Sequence, residues 1–164
     1  MYVGTDVNYR GKVLQVATAI NGAVSASFDD TITPQEVVSL TITPKSNNSL
    51  MQIKCMLAST QAYVMAHYIY KNGSILVSPT ADNGSDNGGG LFTNYDSTLG
   101  NSNSTISIKP VVYNDTNNQM SDITYSIRQA QDWTATGGDA WRINSRGGND
   151  MGSNSTLVVW EYQL

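Results

Sequence analysis

The chain has 164 residues, enough for one domain whose two-layer core needs no disulfide or metal to hold it. Its formal net charge of -4, with few and scattered Lys and Arg residues, excludes a surface built to neutralise phosphates, so no nucleic-acid partner is expected. Charged residues make up only 13% of the chain, about half the usual share, which leaves solubility to Ser, Thr, Asn and Gly, as on many extracellular and virion β-proteins.

In chain order, Met1 to Arg10 mixes polar and aromatic residues without a period and is expected to form a short arm, with residues 11–164 as one β-domain behind it. It has no apolar run of the kind a secretion signal carries, and no later run is long enough to span a bilayer. Synthesis and folding in a cytoplasm, with no membrane partner, are therefore expected. Lys12 to Ile20 is the first predicted strand, with Leu14 and Val16 on one face, and Asn21-Gly22 is read as a tight turn into a strand over Ala23 to Phe28. After a loop around Pro34, Val38, Leu40 and Ile42 alternate with Ser39, Thr41 and Thr43, the pattern of a half-buried strand. Pro44 to Ser49 turns the chain into a strand over Leu50 to Ala58, where the single cysteine, Cys55, alternates with Met51, Ile53 and Leu57 as core residues do.

Tyr63 to Lys71 and Ser74 to Ser78 flank Asn72-Gly73, the dipeptide best suited to a type I′ hairpin, in which both central residues need positive φ. Thr80 to Ser104 is rich in Gly, Asn, Asp and Ser and reads as a long loop. Ile106 and Ile108 begin a strand that Pro110 restricts to an edge or a bulge. Ile123, Tyr125 and Ile127 alternate with Thr124, Ser126 and Arg128, a strand with one wet face, and Trp141 and Ile143 start a short strand. The final stretch, Ser155 to Leu164, puts Val158, Trp160, Tyr162 and Leu164 on one face and Leu157, Val159, Glu161 and Gln163 on the other. Apolar residues on both faces suggest a strand covered by its own core on one side and by another copy of the chain on the other. A central strand packed under long loops of its own subunit is the alternative.

The chemistry-bearing residues are sparse. His67 is the only histidine, so no Ser-His-Asp triad or multi-histidine metal site can form within one chain. There are two glutamates, Glu36 and Glu161; Glu161 stands opposite no predictable acid and is read as holding a salt bridge or an interface hydrogen bond rather than acting as a general acid. Asp82 to Gly88 is similar to a calcium loop, yet Gly84 stands where a ligand is needed and Thr93 where the bidentate Glu should come. Gly88-Gly89-Gly90 is followed by no Lys-Ser and no helix, so it cradles no phosphate. No catalytic residue, metal or cofactor is expected. Tyr68, Tyr70, Trp133, Trp141, Trp160 and Tyr162 can line a glycan-binding surface, although in sandwiches aromatics more often fill space or interfaces.

Many short strands, one tight hairpin and no helical period define an all-β sandwich, and among sandwiches a jelly roll fits best. The cysteine pair and tryptophan spacing of antibody domains are absent.

Gly11-Lys12-Val13-Leu14-Gln15-Val16, Leu40-Thr41-Ile42-Thr43-Pro44-Lys45-Ser46 and Tyr70-Lys71-Asn72-Gly73 resemble successive pieces of a family of bacteriophage structural domains. The end of the chain, Trp141 to Gly148 and then Ser155 to Tyr162, is similar to that family's closing pattern, an Asn-Arg-Ser-like turn before a final strand with a glutamate near its end. These domains resemble the C1q and tumour-necrosis-factor jelly rolls, which form compact homotrimers. The resemblance implies a non-enzymatic virion protein: a C1q/TNF-like jelly-roll homotrimer assembled in the host cytoplasm, with Tyr68, Tyr70, Trp160 and Tyr162 as candidates for the trimer interface. Two roles are open. One is a decoration or cement protein on the outer capsid, its partner the major capsid protein and its anchor the arm residues Tyr2, Val3, Val7 and Tyr9. The other is the receptor-binding tip of a tail fibre or spike, its partners a fibre shaft and a host surface glycan. A short chain starting at Met1, with no fibre shaft or Gly-X-Y stalk before the domain, makes the capsid role the expectation.

Overall fold

A computed structural model describes residues 11–23, 33–60, 64–77, 93–95, 106–131, 142–144 and 153–164, and no helix occurs among them. The strands are β1 (Val13–Asn21), β2 (Gln35–Ile42), β3 (Ser49–Thr60), β4 (Val64–Lys71), β5 (Ser74–Val77), β6 (Thr93–Tyr95), β7 (Ile106–Asn117), β8 (Ile123–Gln131) and β9 (Ser155–Gln163). All pairings are antiparallel, and they build two sheets, one ordered β1-β9-β3-β7 and the other β2-β8-β4-β5 with β6 beside β4. The protein is an all-β sandwich. Its pairs are nested, β1 with β9, β2 with β8, β3 with β7 and β4 with β5, so the strands farthest apart in sequence meet and β9 sits inside its sheet between β1 and β3.

The alternation that marks these strands also builds the core. Met51, Ile53, Cys55 and Leu57 of β3, Val111 of β7 and Leu157 and Val159 of β9 point inward from the first sheet. Val38 and Ile42 of β2, Ile69 of β4 and Ile123, Tyr125 and Ile127 of β8 meet them from the second. Each such side chain contributes about 1.5–3 kcal/mol on burial. At the β4–β5 hairpin, Asn72 (φ 51°) and Gly73 (φ 78°) take the two left-handed positions that a type I′ turn requires.

Several elements differ from the sequence reading. Asn21 does not open a tight turn: it continues β1 opposite Ser155, and neither it nor Gly22 has positive φ. The strand expected over Ala23 to Phe28 lies outside the described residues beyond Ala23, as does Trp141, and Ile143 forms a bridge rather than a strand. A bulge between Val13 and Gln15 takes up Leu14, so Leu14 and Val16 do not share a core-facing row. Within the expected long loop, Thr93–Tyr95 pairs with Val64–Ala66; the rest of that loop lies outside the description. Strand β7 is the sheet's outer strand, the edge position expected from Pro110, and it runs on past the proline to Asn117. Ser126 is buried rather than wet.

The two ends of the sandwich differ. The short β2–β3, β4–β5 and β7–β8 connections gather at one end with Lys12 and Leu164, where the Gln163 amide donates to the Lys12 carbonyl at 2.9 Å. Gly11 lies there against the Gln163 carbonyl, so close that a Cβ would overlap it. The last residues of β1, β3, β6 and β8 and the first residues of β2, β4, β7 and β9 lie at the other end.

Candidate interaction face

The outward surface of the β1-β9-β3-β7 sheet is built from side chains that register places in rows across the four strands. Val16, Trp160, Gln52 and Asn114 form one row, Thr18, Val158, Lys54 and Val112 the next, and Ile20, Thr156, Met56 and Pro110 the third. Val13, Val16, Ile20, Met56 and Val112 are all exposed, Ile20 to 66% and Val112 to 53%. Trp160 and Tyr162 stack with ring centroids 6.2 Å apart and planes 12° from parallel. The polar members are tied down: Gln52 Nε2 donates to Asn114 Oδ1 at 3.2 Å, and Lys54 Nζ lies 5.2 Å from the centroid of the Trp160 ring. Over β3 the surface dips into a cleft of about 280 Å3 lined by Lys54, Met56, Pro110, Val112, Thr156 and Val158.

The outward surface of the other sheet is polar where it is exposed, while Ala66, Tyr70, Ser126 and Ala130 on it are buried. Thr41 and Thr124 hydroxyls share a hydrogen bond of 2.8 Å, Ser39 Oγ donates to Glu36 at 2.7 Å, and Arg128 lies 3.8 Å from Glu36. The Arg128 guanidinium covers the Tyr70 ring at 4.2 Å. Among the described residues, Ile75, in register with Tyr70, is the one strongly exposed large hydrophobic on this side.

Several buried polar groups have partners that explain them. Glu161, fully buried, points inward from β9 and accepts from the Lys45 amide at 3.0 and 2.9 Å, the Ser46 amide at 3.1 Å and Gln15 Nε2 at 2.7 Å. It fastens the β2–β3 turn to the sheet, and with three donors in its own subunit it is a structural anchor. Asp115 of β7 accepts from Tyr125 Oη at 2.6 Å and Lys71 Nζ at 2.7 Å, linking the two sheets. Burial, reinforced by the hydrogen bond to Asp115, pushes the Tyr125 phenol above its ordinary range. Asn144, at φ 57°, ties the end of β1 to the start of β9: its Nδ2 donates to the carbonyls of Asn21 and Ala23 at 2.7 and 3.1 Å, and its Oδ1 accepts from Ser155 Oγ at 2.7 Å. His67 is buried, with Nε2 3.2 Å from Gln129 Oε1. Burial pushes the Cys55 thiol up to about 12. Among the described residues no three His, Cys, Asp or Glu side chains group closely enough to hold a metal ion.

The structure separates the four residues proposed for a trimer interface. Trp160 and Tyr162 stand together on the apolar face. Tyr68 and Tyr70, 6.5 Å apart, lie on the opposite face, where Tyr70 is already covered by Arg128. Tyr2, Val3, Val7, Tyr9, Trp133 and Trp141 lie outside the described residues. Sequence reasoning missed Val16, Ile20, Met56, Pro110 and Val112 as members of one surface. The signal was present for Val112: the two-residue period continues past Pro110, with Val111 and Tyr113 inward and Val112 and Asn114 outward.

No family model matches the chain, and no curated protein matches it. Among solved structures it is similar to dimeric latent PorU from Porphyromonas gingivalis, at 10% identity and a TM-score of 0.39, over 99% of this chain and 14% of that one. At that level nothing about function passes from one protein to the other.

Proposed function

We propose that the protein is a non-enzymatic virion protein, a C1q/TNF-like jelly-roll homotrimer that decorates the outer capsid and bridges neighbouring capsid subunits at threefold positions. The nested pairing of β1 with β9, β2 with β8, β3 with β7 and β4 with β5 is the wrapping expected of a jelly roll. The single observation that carries the assembly is the apolar outward face of the β1-β9-β3-β7 sheet, whose exposed Val16, Ile20, Met56 and Val112 have no cover within the described residues. The virion setting rests on the sequence resemblance to phage structural domains. The capsid anchor in this reading is the arm with Tyr2, Val3, Val7 and Tyr9, which precedes Gly11, itself beside Gln163. An anchor of low charge holds its partner through apolar and backbone contacts, which salt does not screen.

Light scattering of the purified protein should give three times 17.7 kDa; a stable folded monomer at micromolar concentration overturns the assembly. Copy number in purified particles tests the location: on the order of hundreds per particle supports decoration of a symmetric shell, whereas a few to a few tens supports a tail-fibre tip. Deleting residues 1–9 should abolish binding of the intact trimer to undecorated heads, and full occupancy by the shortened protein would refute the arm as anchor.

A further inference from the structure

One layer between the two sheets carries reactive groups. Across the first sheet, register sets Asp115, Met51 and Glu161 side by side, and across the second it sets Lys71 beside Tyr125, which pairs in turn with Leu40. Lys71 and Asp115 meet between the sheets with Nζ 2.7 Å from Oδ2, and the Tyr125 hydroxyl donates to that same oxygen at 2.6 Å. Met51 and Tyr125, the cross-strand neighbours of the pair, are fully buried, and the Lys71 and Asp115 side chains are only 22% and 11% exposed. We infer that Lys71 and Asp115 condense to an amide between Nζ and Cγ, a self-made cross-link that ties β4 of one sheet to β7 of the other. The bond does not depend on the homotrimer reading, and because it forms once it makes no enzyme of the chain.

Three features of the site favour condensation over a lasting ion pair. The first is proximity. An amine that already touches a carboxylate oxygen needs only a small swing of its flexible stem to come within roughly 3–3.5 Å of the carbon, and groups held in that way react as if present at roughly 10⁵–10⁸ M. The second is dryness. Between two sheets, charge is costly, so passage of one proton from Nζ to the carboxylate, which leaves a neutral amine and a neutral acid, is favoured as it is not in water. The partly exposed side of Lys71 gives the water formed a way out. The third is a proton donor at the right atom. Oδ2 faces two donors, Lys71 Nζ and Tyr125 Oη, as a leaving oxygen requires. Nζ attacks Cγ and forms the new C–N bond; the Cγ–Oδ2 bond breaks, and Oδ2 departs as water with the proton first passed from Nζ and one from Tyr125 Oη, which regains a proton from the attacking nitrogen. Ammonium and carboxylate thus become a neutral amide and one water. Burial holds the Tyr125 phenol in its protonated form for this role. Glu161, the other carboxylate of the layer, is already held by the Lys45 and Ser46 amides and by Gln15.

The parent protein needs no substitution for the first test. Its intact mass after denaturation should fall short of the sequence mass by one water, and a protease digest should contain a branched peptide joining residues 71 and 115. Lys71→Arg keeps the ion pair but offers no free amine, and it should show its full sequence mass. Asp115→Asn should lose ammonia instead of water and arrive at the mass of the linked parent, since the product is the same amide. Tyr125→Phe should link about a hundredfold more slowly or worse, the lower end of what a positioned proton donor contributes, so that fresh protein shows both masses. A folded parent that keeps its full mass after prolonged incubation, with no branched peptide, overturns the bond. So does a loss of water that maps to a cyclic imide at an aspartate. Equal linking rates in Tyr125→Phe and the parent overturn the role given to the tyrosine.

Discussion

The two outward faces of this sandwich share a core, an antiparallel build and a two-residue period, yet they carry opposite chemistry. On the β2-β8-β4-β5 sheet Ile123, Tyr125 and Ile127 face inside and the outward Thr124 and Arg128 are polar and partly exposed, while Ala66, Tyr70, Ser126 and Ala130 on that outward side are buried. On β9 the pattern runs the other way: Ser155 and Glu161 face inward with Leu157 and Val159, while Val158, Trp160 and Tyr162 face out. The difference teaches that a strand's sidedness is set by its polar partners as much as by its hydrophobic count. Glu161 faces inward because the Lys45 and Ser46 amides and Gln15 are there to receive it, which leaves the aromatic side of β9 to be covered from outside.

The sharpest way to break the comparison is to charge each face in turn. Val158→Asp places a carboxylate at the centre of the apolar face. Lys54 stands beside position 158 in the register, so if that face is buried between copies the whole ion pair must be desolvated, which costs several kcal/mol, and the trimer should be lost while the far-UV spectrum of the protomer is kept. Thr124→Asp, on the opposite face, should leave both unchanged. Equal behaviour of the two variants in light scattering would mean that the faces do not differ in use.

A graded version uses the aromatics. Trp160→Ala should lower the stability of the assembled protein by about 3–5 kcal/mol, because a large side chain is then missing from a closed contact. In the Val158→Asp background, where the face stays bare, the same change should cost only about 1–2 kcal/mol, since Trp160 is half-buried in the single protomer. Tyr70→Ala should destabilise the protomer, removing the ring under Arg128, without changing its oligomeric state. Denaturant titrations of the three variants separate these outcomes.

The sandwich was legible in the sequence because alternation survives wherever one face of a strand is buried. The hairpin at Asn72-Gly73 was legible because two consecutive left-handed residues leave few choices of amino acid. The second half of β7 was not legible: Pro110 and the run Asn114-Asp115-Thr116-Asn117 carry turn chemistry, and only the sheet explains them. Pro110 sits where no ladder hydrogen bond is needed, and Asp115 and Asn117 turn inward to satisfy Tyr125, Lys71, Ser46 and Ser49. Asn144 was legible only as a member of a family-like turn, because its role depends on carbonyls more than a hundred residues away in sequence. For the candidate site, Trp160 and Tyr162 were visible as an aromatic pair on one strand. Val16, Ile20, Met56 and Val112 became one surface only once register had placed β1, β3 and β7 around them.

Glu161 tests the inner half of the same contrast. Glu161→Gln replaces one acceptor oxygen with an amide nitrogen that faces backbone donors, and it should cost about 1.5–3 kcal/mol of protomer stability, the range for hydrogen bonds to a charged group. Its trimer, once folded, should be unchanged in mass. A Gln variant as stable as the parent would show that the Lys45–Ser46 turn does not depend on the carboxylate.

The effect confined to alkaline pH comes from Cys55, which projects inward from the strand whose outward Lys54 and Met56 line the cleft. Because burial raises its folded-state value from 9.0 to about 12, the unfolded thiol ionises first as pH rises, and ionisation then favours the unfolded chain. The contribution is fully present below pH 9.0 and lost between there and about pH 12. The slope is about 1.4 kcal/mol per pH unit, so roughly that amount is gone by pH 10. Cys55→Ala should flatten this limb. Tyr125, whose value is also raised, adds a further loss that begins above its ordinary 10.0 and that Tyr125→Phe should remove. The same thiol distinguishes the two sides of β3. A thiol reagent at neutral pH should modify Cys55 at the rate of global unfolding, equally in the parent and in Val158→Asp, since uncovering the outer face does not open the core. Rapid labelling on dissociation alone would place the thiol on the apolar outer face and reverse the assignment of inside and outside for β3.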